Sequence, residues 1–449
     1  MKKIKPRTLS GFMELLPPHQ VCFDDMARRL REAFSLYGFT PLDTPIMEAA
    51  EILLAKGGGE TEKQIYTLCK GDTDLALRYE HTTTLAKYVA LNYSRLTFPF
   101  RRYEIGKVYR GERAQRGRYR EFYQADIDII GDGSLDILSE AEIPGVIYRC
   151  FTSLGLERFV IRINNRKALS GFFEIIGVGE QATDVMRVVD KLEKIGSEKL
   201  TATLTTDMGL SHEKTVRIIE YVTHKGDPFE MLDKYRGKSE TFDKGADELY
   251  AVKKYLADFG VPETHFKIDL AIARGLDYYT GTVYETYMSD YPEVGAICSG
   301  GRYDNLAENF TDRKMPGVGI AIGLTRLFFI LEEQGLLNEA VLTAPADVLI
   351  IPMTDDLSHA VALATVMREA GLRTQIYGEN KKFKQKISYA DKLNIPFVVF
   401  LGDEEIANGK ISVKDMTSGE QTTASQGVLI LNISERIKKL RSGKPIAEK

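Results

Sequence analysis

The sequence predicts an α+β protein in which a β-rich block is split by a helical segment and followed by a small α/β block. Up to about residue 330, short runs rich in Val, Ile, Tyr and Phe are punctuated by Gly and Pro, the pattern of strands and turns. Between about residues 168 and 255 the chain is rich in Lys, Glu and Leu, with apolar positions at helical spacing. After GLLNEAVLTAP, apolar runs alternate with amphipathic ones, which implies strands alternating with helices and a largely parallel sheet. A chain of 449 residues has room for two to four domains.

The elements follow in order. HQVCFDDMARRLREAFSLY predicts a helix over 19–37, with Gly38 as its stop. FTPLDTPIMEAAEIL reads as a strand interrupted by Pro41 and Pro45. DLALRYEHTTTLAKYVALNY starts as a strand and becomes a helix near Thr82. FPFRRYEIGKVYRG and YREFYQADIDIIGD predict a hairpin whose tip, GERAQRGRYR, is unusually charged. DVMRVVDKLEKIG and ADELYAVKKYLADFG are helical and belong to an insertion. FKIDLAIA, TGTVYETYM, VGAICSG and GVGIAIG return to β character. ADVLIIPM, SHAVALATVMREAG, LRTQIYGE, FKQKISYADKLN and PFVVFLGDEE build the last block, and RIKKLRSGKPIAEK reads as a frayed tail.

Composition narrows the function classes. No apolar run approaches the roughly 20 residues of a membrane helix. The basic start lacks the apolar core of a secretory signal. Cys22, Cys69, Cys150 and Cys298 stand singly, which fits a reducing cytoplasm better than a zinc site or a disulfide framework. With a net charge of -4, nucleic-acid binding would need local basic patches. There is no GxxxxGK[ST] loop, no GxGxxG after a strand and no HExxH, so no metal site is expected.

The chemistry concentrates in four segments. The hairpin carries Arg102, Arg110, Arg113, Arg116, Arg118 and Arg120. In strand geometry Arg110 projects with Glu112, Arg118 with Arg120, and Gln124 with Asp126 and Asp128. A guanidinium presents a planar donor fork suited to phosphate oxygens, so a sheet floor holding several would suit a triphosphate. A solvated, salt-bridged hairpin tip is the plainer reading. In ARGLDYYTGTVYE, Arg274 and Asp277 frame a turn before Tyr278 and Tyr279, of which one can line a pocket while the other packs. In SGGRYDNL, Gly300 and Gly301 allow close approach. In PGVGIAIGLTRLFFIL, alternating glycines leave room for a flat ligand. Arg326 then falls in the first turn of a helix, where a cation is out of place unless it meets an anion.

Together and in this order, these segments resemble the class II aminoacyl-tRNA synthetase signatures. YGFTPLDTPIME resembles motif 1, YRGERAQRGRYREFYQ motif 2 and GVGIAIGLTRL motif 3. RGLDYYTGTVYE and SGGRYDNL are similar to the two segments peculiar to histidyl-tRNA synthetases, of subclass IIa. The resemblance covers nearly the whole chain. It implies an antiparallel-sheet catalytic domain in two parts, 1–167 and 256–333, a helical insertion at 168–255, and an α/β anticodon-binding domain at 345–438. It implies ATP-dependent ligation of L-histidine to tRNA(His) through a histidyl-adenylate, in a cytoplasmic homodimer with no membrane association. Mg²⁺ would come with ATP, without a dedicated protein site.

By matching position, Arg110, Arg274 and Arg326 are the catalytic arginines. ATP falls to Arg110, Glu112, Arg118, Phe122 (stacked on adenine) and Arg326. Histidine falls to Glu80, His81, Thr82, Arg110, Gln124, Asp128, Arg274, Tyr278, Tyr279 and Tyr303, over a floor of Gly300 and Gly301. GGGETEKQIY, residues 57–66, resembles a loop that closes over the histidine. The chain departs from the family at Glu80-His81-Thr82, where an Asp-Leu-Thr or Glu-Gly-Thr triplet is commoner; His81 is expected to point away from the substrate. A catalytically dead paralogue of the same fold, a synthetase for another amino acid, and an RNA-binding module on a synthetase fold are the alternatives. The last block and Arg274 speak against the first, and RGLDYY against the second.

Overall fold

The computed structural model of the chain describes residues 3–55, 60–273, 278–337 and 341–441, with the side chains of 60 and 61 left out. Arg274 and Asp277 therefore lie outside the described residues, as does part of the expected closing loop. The chain divides into two compact units: residues up to 336 without 15–25, and 15–25 with the residues after 336.

The first unit is organised by an eight-stranded sheet. Its strands run, side by side, Thr40–Pro41, Phe100–Tyr109, Glu121–Ile130, Gly317–Ile322, Cys298–Tyr303, Thr282–Met288, Phe159–Asn165 and Phe266–Ile268. Only the two edge pairings are parallel. The central hairpin pairs Arg102 with Asp128, Glu104 with Asp126 and Gly106 with Gln124. On its other side, Gly319 stands opposite Asp128 and Ala321 opposite Asp126. This register, rather than sequence proximity, places Gln124 and Asp128 beside glycines and Asp126 between Glu104 and Ala321.

The expected strand at 39–53 is broken up. Thr40–Pro41 joins the large sheet, while Met47–Ala49 belongs to a separate sheet with Thr67–Lys70 and Thr73–Leu77. Ala50–Leu54 is helical. Two prolines without N–H donors prevent one continuous strand. The helix at Thr82–Asn92 begins where expected.

Between Phe159–Asn165 and Phe266–Ile268 the chain is helical. Asn165, Asp227 and Ser239 cap three of these helices through side-chain acceptors. Phe172 stacks on Tyr221 at 4.0 Å and meets Tyr235 edge-on. The first helix, Arg166–Ile175, and the last, Glu240–Asp258, cross backbone to backbone at Gly171 and Gly245: a Cβ on either would drive into the opposite main chain. Glu240–Asp258 also packs on Ile137–Ser153, so the end of the expected insertion is bonded into the block that precedes it.

The second unit has a five-stranded sheet in the order Thr374–Ile376, Val348–Pro352, Phe397–Leu401, Lys410–Asp415, Gln421–Ser425. The first three strands are parallel and the last two antiparallel, so the sheet is less parallel than its sequence implies. The missed hairpin is polar and half-exposed, without an apolar run to announce it. RIKKLR is not a tail: it completes the helix Gln426–Arg441, which buries Ile433 and Ile437. Among the described residues no helix is long and apolar enough to cross a membrane.

Gly245→Val should force the two helices apart. Overpacking of this kind costs about 1–3 kcal/mol or more, and calorimetry should show a lowered melting temperature for the first unit.

Candidate active site

A cavity of about 540 Å³ opens over the central strands of the large sheet. Two groups of side chains line it. Arg110, Glu112, Arg118, Phe122 and Arg326 form one, and Glu80, Thr82, Gln124, Asp128, Tyr278, Tyr279 and Tyr303 the other, with Gly300. Residues from five separate stretches of chain thus share one space, including two of the three expected catalytic arginines.

The arginines are held by different means. Arg110 follows the strand Phe100–Tyr109, and its guanidinium lies 4.3 Å from the Tyr79 ring centroid and 5.1 Å from that of Phe122. Flanking rings fix its plane without consuming its N–H fork. Arg118 lies 3.9 Å from Glu112. The chain between the hairpin strands is a loop bridged at Gln115 and Arg118, so the alternation expected there fails. Arg118 lines the cavity, whereas Arg120 donates to the Glu112 carbonyl at 3.0 Å. Arg116 pairs with Glu333 at 2.6 Å in solvent. Arg102 is fully buried and is no phosphate ligand: its Nη2 is 2.7 Å from Asp128. Arg326 does occupy the first turn of a helix, Leu324–Glu333, and donates to the Ala296 carbonyl at 2.9 Å and to that of Val294.

The second group is a connected set of acceptors and phenols. Tyr303 donates to Asp128 Oδ1 at 2.6 Å, and Tyr278 to Glu80 Oε2 at 2.8 Å. The other Glu80 oxygen accepts from the Thr83 amide and hydroxyl. Tyr278 and Tyr279 precede the strand rather than alternate along it, and both line the cavity, with ring centroids 4.9 Å apart. Gly300 lines the cavity and Gly301 does not; the missing Cβ of Gly301 leaves room for the Tyr279 ring.

Beneath lies a layer of buried charge. Arg78 donates to Glu104 at 2.6 Å and to the Thr44 carbonyl at 2.7 Å. Thr44 in turn donates its amide and hydroxyl to Glu104. Burial pushes the Asp126 and Asp128 carboxyls up to about 7, even beside Arg102. Burial also drives His81 down to about 3, so its imidazole is neutral. His81, placed by position among the histidine-contacting residues, does not line the cavity; it is fully buried, with Nδ1 3.1 Å from Asp126 Oδ2. Its side chain leaves the helix start on the face turned toward the hairpin strands, where Gly106 makes room for it. Asp126 and Tyr79 received no role from the sequence, though the alternation Gln124, Asp126, Asp128 put Asp126 on the right face.

The chain matches the sequence profile described as histidyl-tRNA synthetase over residues 11–327. The chain belongs to the histidyl-tRNA synthetase family. An anticodon binding domain profile matches residues 347–440. A histidine–tRNA ligase of Clostridium tetani is 50% identical over 430 residues, covering 95% of this chain and 98% of its own. One from Finegoldia magna is 41% identical over 441 residues, covering 98% of this chain and 100% of its own. The crystal structure of histidyl-tRNA synthetase from Nostoc sp. PCC 7120 is 40% identical, with a TM-score of 0.87 over 97% of this chain and 100% of that one. An ATP phosphoribosyltransferase regulatory subunit/histidyl-tRNA synthetase from Bacillus halodurans, 21% identical with a TM-score of 0.74, shares the fold.

A carboxyl raised from 3.8 to about 7 holds a proton in the folded chain that the unfolded chain has released. Its ionisation therefore subtracts stability as pH rises through that window, by the full amount above it. Asp126→Asn should raise the melting temperature at pH 8 relative to the unsubstituted chain. The difference should vanish near pH 4 in differential scanning calorimetry.

Proposed function

We propose that the chain activates L-histidine with ATP to give histidyl-adenylate and pyrophosphate, then transfers the histidyl group to tRNA(His) and releases AMP. The observation that carries this reading is one cavity lined both by Arg110, Arg118, Arg326 and Phe122 and by Glu80, Gln124, Asp128 and three tyrosines. The first set suits a nucleotide triphosphate, the second a small zwitterion with two ring nitrogens.

In the first step a histidine carboxylate oxygen attacks the α-phosphorus, and the bond to pyrophosphate breaks. Two anions must meet, so the catalytic requirement is cationic charge fixed where negative charge accumulates. Arg110, oriented by its two rings, neutralises the α-phosphate and the attacking carboxylate. Arg118 and Arg326 hold the far phosphates, Glu112 meets the adenine or ribose, and Phe122 stacks on adenine. Arg274 is the further arginine assigned to the α-phosphate. No side chain has to act as nucleophile; positioning does the work. Among the described residues no group of three or more His, Cys, Asp or Glu is placed to hold a metal. Glu112 and Glu285 line the cavity, and one or two carboxylates with nucleotide phosphates suffice for Mg²⁺, which adds charge neutralisation. In the second step a ribose hydroxyl of the tRNA 3′ end attacks the acyl carbon and AMP leaves.

Glu80, Thr82 and Gln124 take the substrate amino group, and Asp128, Tyr279 and Tyr303 face the imidazole, with Tyr278 alongside. A site built to hydrogen-bond both ring nitrogens can reject analogues lacking them by about 10⁴. The insertion holds the tRNA acceptor stem. Two copies of the chain associate through the motif 1 region, where Leu36, Ile46 and Met47 expose apolar surface.

ATP–pyrophosphate exchange should occur with histidine and with no other amino acid. Arg110→Ala should lower kcat/KM for exchange by about 10²–10³ without lowering the melting temperature; full exchange in that variant removes the role assigned to Arg110. Deleting residues 179–237, which keeps Arg166–Ile175 and Glu240–Asp258, should raise the KM for tRNA and spare exchange. A deletion variant that keeps both its melting temperature and the KM for tRNA would refute the acceptor-stem role.

A further inference from the structure

We propose that Asp126 is a specificity-determining residue of the histidine pocket, its free carboxylate oxygen accepting the ring N–H of the substrate, and that His81 is the positioning residue that aims it. This rests on the histidine-activating reading above.

Gln124, Asp126 and Asp128 share one face of Glu121–Ile130, and all three line the cavity. They differ in what else they touch. Asp128 is engaged on both oxygens, by the Tyr303 hydroxyl at 2.6 Å and by Arg102 at 2.7 Å. Asp126 has Oδ2 beside His81 Nδ1 at 3.1 Å, while its Oδ1 is buried and meets no donor of the protein. Gln124 Oε1 is in the same condition. A buried acceptor left without a donor is costly, and here two belong to neighbouring residues that line the cavity, where a ligand with two donors would satisfy them.

The spacing selects which donors. Alternate residues of a strand stand about 6.7 Å apart. That span is comparable to the separation of the amino nitrogen and the far ring nitrogen of an extended histidine. With the ammonium at Gln124, the next acceptor along the strand meets the ring, and that acceptor is Asp126. In the register Asp126 stands between Glu104 and Ala321, and Gly106 opens the space that His81 enters.

His81 acts through Asp126 alone. It is fully buried, does not line the cavity, and faces the carboxylate from the start of Thr82–Asn92. A neutral imidazole against Oδ2 fixes the rotamer that turns Oδ1 toward the substrate. A residue without a polar side-chain nitrogen there could not.

The test is steady-state exchange and isothermal titration with the full-length chain. The variants are Asp126→Asn, His81→Gln, His81→Phe and the double variant Asp126→Asn/His81→Phe. Asp126→Asn should raise the histidine KM and Kd about 10- to 100-fold, the loss expected for a charge-assisted hydrogen bond. The ATP KM should stay within about twofold, as for a contact made only to the amino acid. Discrimination against a ring-N-methylated histidine should fall in the same variant. His81→Phe should show a smaller rise, His81→Gln should restore most of it, and the double variant should equal Asp126→Asn alone. An unchanged histidine KM in Asp126→Asn overturns the proposal, as do parallel rises in the ATP and histidine KM, or additive effects in the double variant. Absence of histidine-dependent exchange in the unsubstituted chain is a separate failure, of the activity itself.

Discussion

The structure depends on burying opposite charges in the sheet under the pocket. Arg78 with Glu104, and Arg102 with Asp128, are removed from water within a few residues of one another. Such pairs are expensive to desolvate and return that cost only when geometry is fixed and further hydrogen bonds complete them. Here the fixing is done by the register of three strands. Arg102 is set opposite Asp128 by one ladder, and Gly319 is set opposite the same Asp128 by the other. A side chain at Gly319 would collide with the Asp128 carboxylate, and one at Gly317 with the Tyr303 ring. The glycine alternation of the third strand is therefore a packing requirement of the charge layer as much as a flat surface for a ligand.

The layer has consequences for the site above it. Glu104, Asp126 and Asp128 face Arg78 and Arg102, with His81 neutral, so the carboxylates are in excess. Burial, with a smaller push from the neighbouring carboxylates, raises the Asp126 and Asp128 carboxyls and makes the floor avid for N–H donors. An imidazole with its ammonium supplies such donors. The tyrosines complete the enclosure: Tyr278 and Tyr303 are tied to Glu80 and Asp128, so the walls are oriented before any substrate arrives. The side of the cavity lined by Arg110 and Phe122 works on the opposite principle. Arg110 is gripped by rings rather than carboxylates, which leaves its charge for an anion.

Much of this was legible in the residues. The hairpin with its charged tip, the turn from strand to helix at Thr82, the helical character after Asn165 and the strand-to-helix step at Arg326 each follow from local pattern and stand as expected. The six arginines of the hairpin were not separable by pattern. Arg102 lies in regular strand and is swallowed by the sheet, Arg116 points to solvent, and Arg110 and Arg118 turn into the cavity from an irregular loop. Alternation holds only where a ladder enforces it, and it stops at Tyr109.

By itself the sequence determined most of the kinds of element, the family and the set of chemically able side chains, because periodicity, turn residues and ordered motifs are local properties. It did not determine which of those side chains meet. That Asp128 is already engaged by Tyr303 and Arg102 while one Asp126 oxygen is buried without a donor, and that His81 turns inward to a carboxylate, are decided by cross-strand register and burial. Both are set by contacts between residues far apart in the chain, and only the folded sheet brings them within reach.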